Sequence, residues 1–189
     1  MKIVILDRDG VINEDSDAYI KSVDEWIPID GSIDAIATLS KAGYTILIAT
    51  NQSGVGRGIF DELALSAMHL KLCGLVEGRG GSVDGIFYCP HLPTDRCECR
   101  KPGVGLLRQM EAEFACKLSG ASFVGDSLKD VEAALAFGCK PLLVRTGKGL
   151  ETENLLRNLD FAEVPVFDNL ASAARQILSR EEVHQGRRK

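Results

Sequence analysis

The chain has 189 residues, 45% of them hydrophobic and 26% charged, which fits one soluble α/β-sized domain with a full core and excludes a fibrous or disordered chain. Its net charge of −5 and pI near 5.3 give no global attraction to nucleic acid or to an anionic membrane, so a phosphate-bearing ligand must be held by a local patch. No apolar run is long enough to span a bilayer, and the first strand begins directly after Met1-Lys2, so the expected protein is cytoplasmic, monomeric and without a signal peptide.

Ile3-Val4-Ile5-Leu6 reads as a short buried strand that runs straight into Asp7-Arg8-Asp9-Gly10. Asp7 and Asp9 are two positions apart and project to one side if strand geometry persists, while Gly10 lets the backbone turn away. Two converging carboxylates repel unless a cation or a proton intervenes. Taken alone, the segment reads equally well as an Asp-Gly turn closing a strand. A polar, irregular stretch from Asn13 to Asp30 follows, with Trp26 expected to pack under a flap near the strand end.

Ser32 is the expected cap of a helix with Ile33, Ile36, Ala37 and Leu39 on its apolar face, stopped by Gly43. Residues 45–49 form a second buried strand ending on Thr50-Asn51-Gln52-Ser53. The glycine-rich 54–58 segment after it matches neither a dinucleotide fingerprint nor a Walker loop. Asp61 caps a helix to about Glu77, in which His69 and Cys73 read as filler. Gly80-Gly81 breaks it, and Gly85 to Tyr88 is the third strand.

Val104 to Leu118 is helical by its spacing of Leu107, Met110, Glu111 and Phe114, and Ala121 to Val124 is a fourth strand ending on Gly125-Asp126-Ser127. Leu128, Val131, Ala134 and Leu135 mark the next helix, stopped by Gly138. Residues 142–144 form a fifth strand, and 164–167 a sixth that Pro165 confines to an edge. A last helix carries Leu170, Ala174, Ile177 and Leu178, and residues 181–189 read as a basic, disordered tail. Strand and helix alternate throughout, which predicts a doubly wound α/β sandwich on a mostly parallel sheet, one domain over residues 1–180 with no separate cap domain.

Three strands therefore end in polar groups: Asp7 and Asp9, then Thr50 and Asn51, then Asp126 with Asp130 one helical turn later. Such repetition is hard to explain as turn chemistry. Asp7 with Asp126 offers the oxygen ligands that suit Mg²⁺, and the Thr50 hydroxyl and Lys101 ammonium are donors for phosphate oxygens. In the loop from Cys89 to Lys101, Cys89, His91, Cys97 and Cys99 make a Cys₃His set with no open position, the pattern of a structural Zn²⁺ site. Free thiols are the competing reading. A metal there would also fix Lys101, two residues beyond Cys99.

With these four segments aligned, the chain resembles the haloacid dehalogenase superfamily of phosphotransferases, whose motifs stand here as Asp7-Arg8-Asp9-Gly10-Val11, Thr50, Lys101 and Gly125-Asp126-Ser127-Leu128-Lys129-Asp130. The resemblance implies that Asp7 is the nucleophile, forming an aspartyl-phosphate, and that Asp9 is the general acid and later the base. It implies that the Asp7 and Asp126 side chains and the Asp9 carbonyl hold Mg²⁺, and that Asp130 orients neighbouring groups from behind them. At a reference pKa of about 3.9, Asp9 would be protonated only about one time in a thousand at pH 7, so its environment must raise that value or turnover must supply the proton.

The zinc loop together with Thr50-Asn51-Gln52-Ser53-Gly54 and Cys99-Arg100-Lys101-Pro102 is similar to the zinc-loop branch of the superfamily, which acts on small phosphorylated metabolites such as sugar bisphosphates and histidinol phosphate. That implies substrate contacts from Asp15, Ser16, Asp17, Ala18, Tyr19, Asn51, Gln52, Ser53 and Arg100, and Arg100 beside Lys101 suits a bisphosphate. Two departures from the pattern, the short spacing from His91 to Cys97 and Ser127 after Asp126, bear on substrate choice and leave Asp7, Asp9, Lys101 and Asp126 intact. A zinc-loop binding module on an idle scaffold is the alternative from another class.

Overall fold

In the computed structural model, residues 1–159, 161 and 163–186 are described, with only the backbone path given for 180–186. The strands are β1 (Lys2–Leu6), β2 (Tyr44–Asn51), β3 (Gly85–Cys89), β4 (Ser122–Gly125), β5 (Lys140–Val144) and β6 (Val166–Phe167). The helices are α1 (Ser32–Lys41), α2 (Ser53–Gly56), α3 (Glu62–Glu77), α4 (Gly105–Glu113), α5 (Leu128–Phe137), α6 (Gly149–Arg157) and α7 (Leu170–Gly186). The six strands form one parallel sheet in the order β3-β2-β1-β4-β5-β6. Chain order reverses between β1 and β4, and the crevice beyond their carboxyl ends is where such sheets place ligands.

The run of aliphatic residues in β1 follows from burial on both faces. Val4 and Leu6 face one layer with Ile46 and Ile48, against Ile36 and Leu39 of α1, Leu65 and Leu72 of α3 and Ile177 of α7. Ile3 and Ile5 face the other with Leu47 and Phe123, against Leu107 and Met110 of α4 and Ala133 and Ala134 of α5. Trp26 is fully buried in the first of these layers. Lys71 of α3 donates to the Val23 and Trp26 carbonyls, so the irregular segment is pinned under the site as a packed flap.

Several boundaries differ from the sequence reading for local reasons. Gly31, at φ +75°, occupies the cap position of α1, and Ser32 instead donates its hydroxyl to the Ile12 carbonyl at 2.6 Å, tying the helix start to the flap. α4 ends at Glu113, not Leu118, because Ala115 takes a left-handed conformation that lets Leu118 drop into the core. α6 was not anticipated, and its Leu156 seals Val131 and Leu143. The backbone of α7 continues through 181–186, the expected irregular tail, where Glu181, Glu182 and Gln185 are good helix formers; 187–189 lie outside the described residues. Pro165 costs the edge no ladder bond and lends its carbonyl to Leu143 N. Among the described residues, no helix is long and apolar enough to cross a membrane.

Candidate active site

Asp7 is the first residue past β1, and its backbone N–H still donates to the Val124 carbonyl, so the sheet fixes its position. Its Oδ1 accepts from Arg8 N at 2.7 Å and pairs with Lys101 Nζ at 2.8 Å. Asp126 leaves the end of β4, and its Oδ2 accepts from Lys148 N. Asp130, in the first turn of α5, lies 2.6 Å from Lys101 Nζ through Oδ1, while its Oδ2 accepts from Ser127 N and Oγ. Asp7, Asp126 and Asp130 each bring an oxygen within 4.8 Å of the others.

Three buried carboxylates facing one lysine carry excess negative charge. Burial, then the Asp130 charge, pushes the Asp7 carboxyl up to about 7; burial, then Asp130 and Asp7, pushes Asp126 up to about 8. An oxygen-only donor set that retains protons when no cation is present fits a hard divalent ion such as Mg²⁺. The backbone around Asp126 fits the same purpose. A Cβ on Gly10, at φ +79°, or on Gly147, at φ +58°, would sit 2.1 or 2.2 Å from Asp126 Oδ2, so only glycine lets the two loops close over that oxygen.

Lys101 is 3% exposed and also donates to the Ala49 carbonyl at 2.7 Å. Burial disfavours its charge, but Asp130 and Asp7 outweigh that and hold it above the usual lysine range. The side-chain amide of Asn51 brackets its backbone, with Nδ2 donating to Lys101 O and Oδ1 accepting from Lys101 N. Asn51, expected to touch substrate, thus also positions the lysine.

Asp9 sits beside the cluster with both oxygens occupied. Arg8 donates from Nε and Nη2 to Oδ1 and from Nη2 to Oδ2, Asn13 donates to Oδ1, and Gln52 donates to Oδ2 at 2.7 Å. Burial works to raise its pKa, but the Arg8 charge and these hydrogen bonds prevail, and the carboxyl is held below its usual range. Of the two conditions on Asp9 as an acid, the first is therefore not met by this arrangement. Gln52 also donates to Thr50 Oγ1, which orients that buried hydroxyl.

Asp7, Asp9, Thr50, Asn51, Gln52, Lys101 and Asp126 line one cavity of about 270 Å³. Asp15, Ser16, Asp17 and Tyr19 of the flap lie along it, as do Ser53 and Arg100. Ala18 does not line it: the flap bends through Tyr19 at φ +65° and leaves Ala18 exposed. Ile20, Lys129 and Lys148 line it without having been singled out, as does Ser127, which stood out as a departure from the motif pattern. Lys148 Nζ lies 3.4 Å from Asp15 and 3.7 Å from Asp17, linking the flap to the Asp126 loop. The basic, glycine-flanked run Arg145 to Gly149 after β5 is the signal that could have found it.

Cys89, His91, Cys97 and Cys99 converge as expected, with their ligand atoms within 4.8 Å of one another. The Cys89–Cys97, Cys97–Cys99 and Cys89–Cys99 sulfurs are 3.6, 3.4 and 3.2 Å apart, and His91 Nδ1 is 3.6 Å from Cys89 and 3.2 Å from Cys99. A tetrahedron with Zn–S bonds of about 2.3 Å has edges of about 3.8 Å, so the cage needs only slight expansion. Burial, then its Cys99 contact, pushes the Cys89 thiol up to about 12. Burial of Cys97 is outweighed by the Arg100 N–H and neighbouring thiols, which bring it down to about 7.

Comparison with known proteins agrees with this geometry. A family model described as HAD-hydrolase-like matches residues 98–173. The chain is 53% identical to D-glycero-beta-D-manno-heptose-1,7-bisphosphate 7-phosphatase of Pseudomonas putida, over 94% of this chain and all of that one, and 46% identical to the Neisseria meningitidis serogroup A enzyme of the same name, over 98% and 99%. The crystal structure of D,D-heptose 1,7-bisphosphate phosphatase from B. bronchiseptica, complexed with magnesium and phosphate, superposes with a TM-score of 0.89 at 48% identity, over 95% of this chain and 99% of that one. Kinship of this degree along nearly the whole length, on the same fold, makes the chain a phosphatase and a member of the heptose-1,7-bisphosphate 7-phosphatase family of haloacid dehalogenase-like hydrolases.

Proposed function

We propose that the protein is a Mg²⁺-dependent phosphatase that removes the C7 phosphate of D-glycero-D-manno-heptose 1,7-bisphosphate through an aspartyl-phosphate on Asp7. The observation that carries this reading is the meeting of Asp7, Lys101 and Asp126 at the sheet's switch point, on the wall of a cavity flanked by further cations. Asp7 Oδ1 already holds two donors, which leaves Oδ2 to attack phosphorus. As the P–O bond to C7 breaks, Asp9 gives its proton to the departing oxygen. It then takes a proton from the water that attacks the aspartyl-phosphate, releasing phosphate and restoring Asp7.

Asp9 starts with a depressed pKa, so its proton must be acquired in turnover. An approaching phosphate dianion raises the proton affinity of a neighbouring carboxylate and supplies that condition. Lys101 and the Thr50 hydroxyl stabilise charge on the transferred group. Mg²⁺ held by the Asp7 and Asp126 side chains and the Asp9 carbonyl would neutralise the carboxylates and polarise the phosphoryl oxygens. Zn²⁺ held by Cys89, His91, Cys97 and Cys99 would fix the loop that ends in Arg100 and Lys101.

Arg100, Lys129 and Lys148 border the cavity and offer cations to the phosphate that is not cleaved. A cytoplasmic monomer acting on a small phosphorylated sugar is the corresponding cellular form. The test is phosphate release from both anomers of heptose 1,7-bisphosphate, from histidinol phosphate and from simple sugar phosphates, each with and without Mg²⁺. The β-anomer, for which the relatives are named, should give the highest kcat/KM, and only with Mg²⁺. Equal rates on all substrates would remove the heptose assignment, and no release under any condition would leave a binding module.

A further inference from the structure

We infer that His69 is a positioning residue for the phosphatase reaction: its neutral imidazole holds the buried Arg8 guanidinium, which in turn holds Asp9. The inference rests on the functional reading above and adds a residue to it. Leu65, Met68, His69 and Leu72 recur at helical spacing, so His69 lies on the stripe of α3 that meets the core. A polar ring on that stripe needs a partner. It finds Arg8 Nη1, 3.3 Å from its Nε2.

Arg8 has no exposed surface. A buried guanidinium must have its donors satisfied, and its Nε and Nη2 are spent on Asp9. His69 takes the remaining nitrogen, and because a guanidinium can only donate, Nε2 must be the unprotonated acceptor. Burial, then the Arg8 charge, holds the ring neutral, with its pKa brought down to about 4 against a weaker opposing pull from Asp9. Tyr88 of β3 meets the ring edge-on at 6.1 Å between centroids and limits its rotation. Without the acceptor, Nη1 would be stranded, and the Arg8 fork that aims Asp9 would shift or admit water. Asp9 acts on the leaving oxygen, so the loss belongs in kcat rather than in ground-state binding.

The experiment compares parent, His69→Gln and His69→Leu in steady-state turnover of heptose 1,7-bisphosphate with Mg²⁺, alongside their melting temperatures and a ¹⁵N spectrum of the parent imidazole. His69→Leu should lose about tenfold in kcat with KM changed less than about twofold, while His69→Gln, whose amide oxygen can accept from Nη1, recovers most of the rate. The parent spectrum should show an unprotonated Nε2 at pH 7. Unchanged kcat in His69→Leu, equal losses in both variants, or a protonated Nε2 would each overturn the inference while leaving the phosphatase reading in place. A parent that releases no phosphate would overturn that reading first.

Discussion

Asp9 is the residue on which the chemistry is most sharply constrained, since its two oxygens take five hydrogen bonds from Arg8, Asn13 and Gln52. Asp9→Asn keeps the shape and can still accept from Arg8, but cannot carry a proton. We predict a kcat lower by about 10² to 10⁴ together with a lower melting temperature, because the amide NH₂ faces donors that the lost oxygen accepted from and buried Arg8 loses its counter-charge. A kcat within a few-fold of the parent would show that another group moves the proton. Asp7, Asp9, Asp126 and Lys101 were legible because carboxylates at strand ends, and a lysine beside a cysteine cluster, are marked by side-chain chemistry alone. Lys148 left only the fainter mark of the basic, glycine-flanked run around it, because its contact with Asp126 is made by a backbone N–H, which every residue but proline possesses. His69 reads as filler in the sequence, and its contact with Arg8 was not legible there, because a position on a core-facing stripe looks the same whether or not a buried partner awaits it.

Among the elements, the loop from Cys89 to Lys101 carries the Cys₃His cluster and ends on the lysine that pairs with Asp7. Its regular structure among the described residues is a short turn at 93–95, where Leu92 N donates to Asp95, so a metal on Cys89, His91, Cys97 and Cys99 would fix much of its shape. Cys97→Ser, or removal of zinc by a chelator, should lower kcat by about 10- to 100-fold, because the loop no longer presents Arg100 and Lys101. Metal analysis should find one zinc per parent chain and less in the variant. Full activity in a zinc-free preparation would separate loop from site. The cysteines and histidine were readable from spacing, whereas the Asn51 bracket on Lys101 was not, because it joins β2 to a segment fifty positions away.

For the whole molecule, the carboxylate cluster ties stability to pH. Asp7 and Asp126 bind protons more tightly folded than unfolded, so their contribution is fully present below about pH 4 and is lost as pH rises through 7 and 8. Carboxyls held low, such as Asp9 and Glu153, act in the opposite sense and mostly below pH 5. The melting temperature of metal-free protein should therefore fall between about pH 5 and 8, and saturating Mg²⁺ should raise it most at the upper end. A metal-free melting temperature that climbs through that window would contradict the cluster. The doubly wound sheet was legible as a whole because alternating elements admit few right-handed topologies. Its edges were less so: α6 and the end of α4 are set by tertiary packing of Leu156 and Leu118 rather than by local pattern.

The proposed transfer of the phosphoryl group to Asp7 is tested by chemical trapping during turnover. Acid quench or borohydride reduction of the working enzyme, followed by mass spectrometry of the peptide that contains position 7, should find a phosphoryl group on Asp7, or its reduction to homoserine. The signal should require substrate and Mg²⁺ and be absent from inactive Asp7→Asn. A variant Asp7→Asn that turns over at the parental rate, or label on a different side chain, would show that Asp7 is not the phosphoryl acceptor.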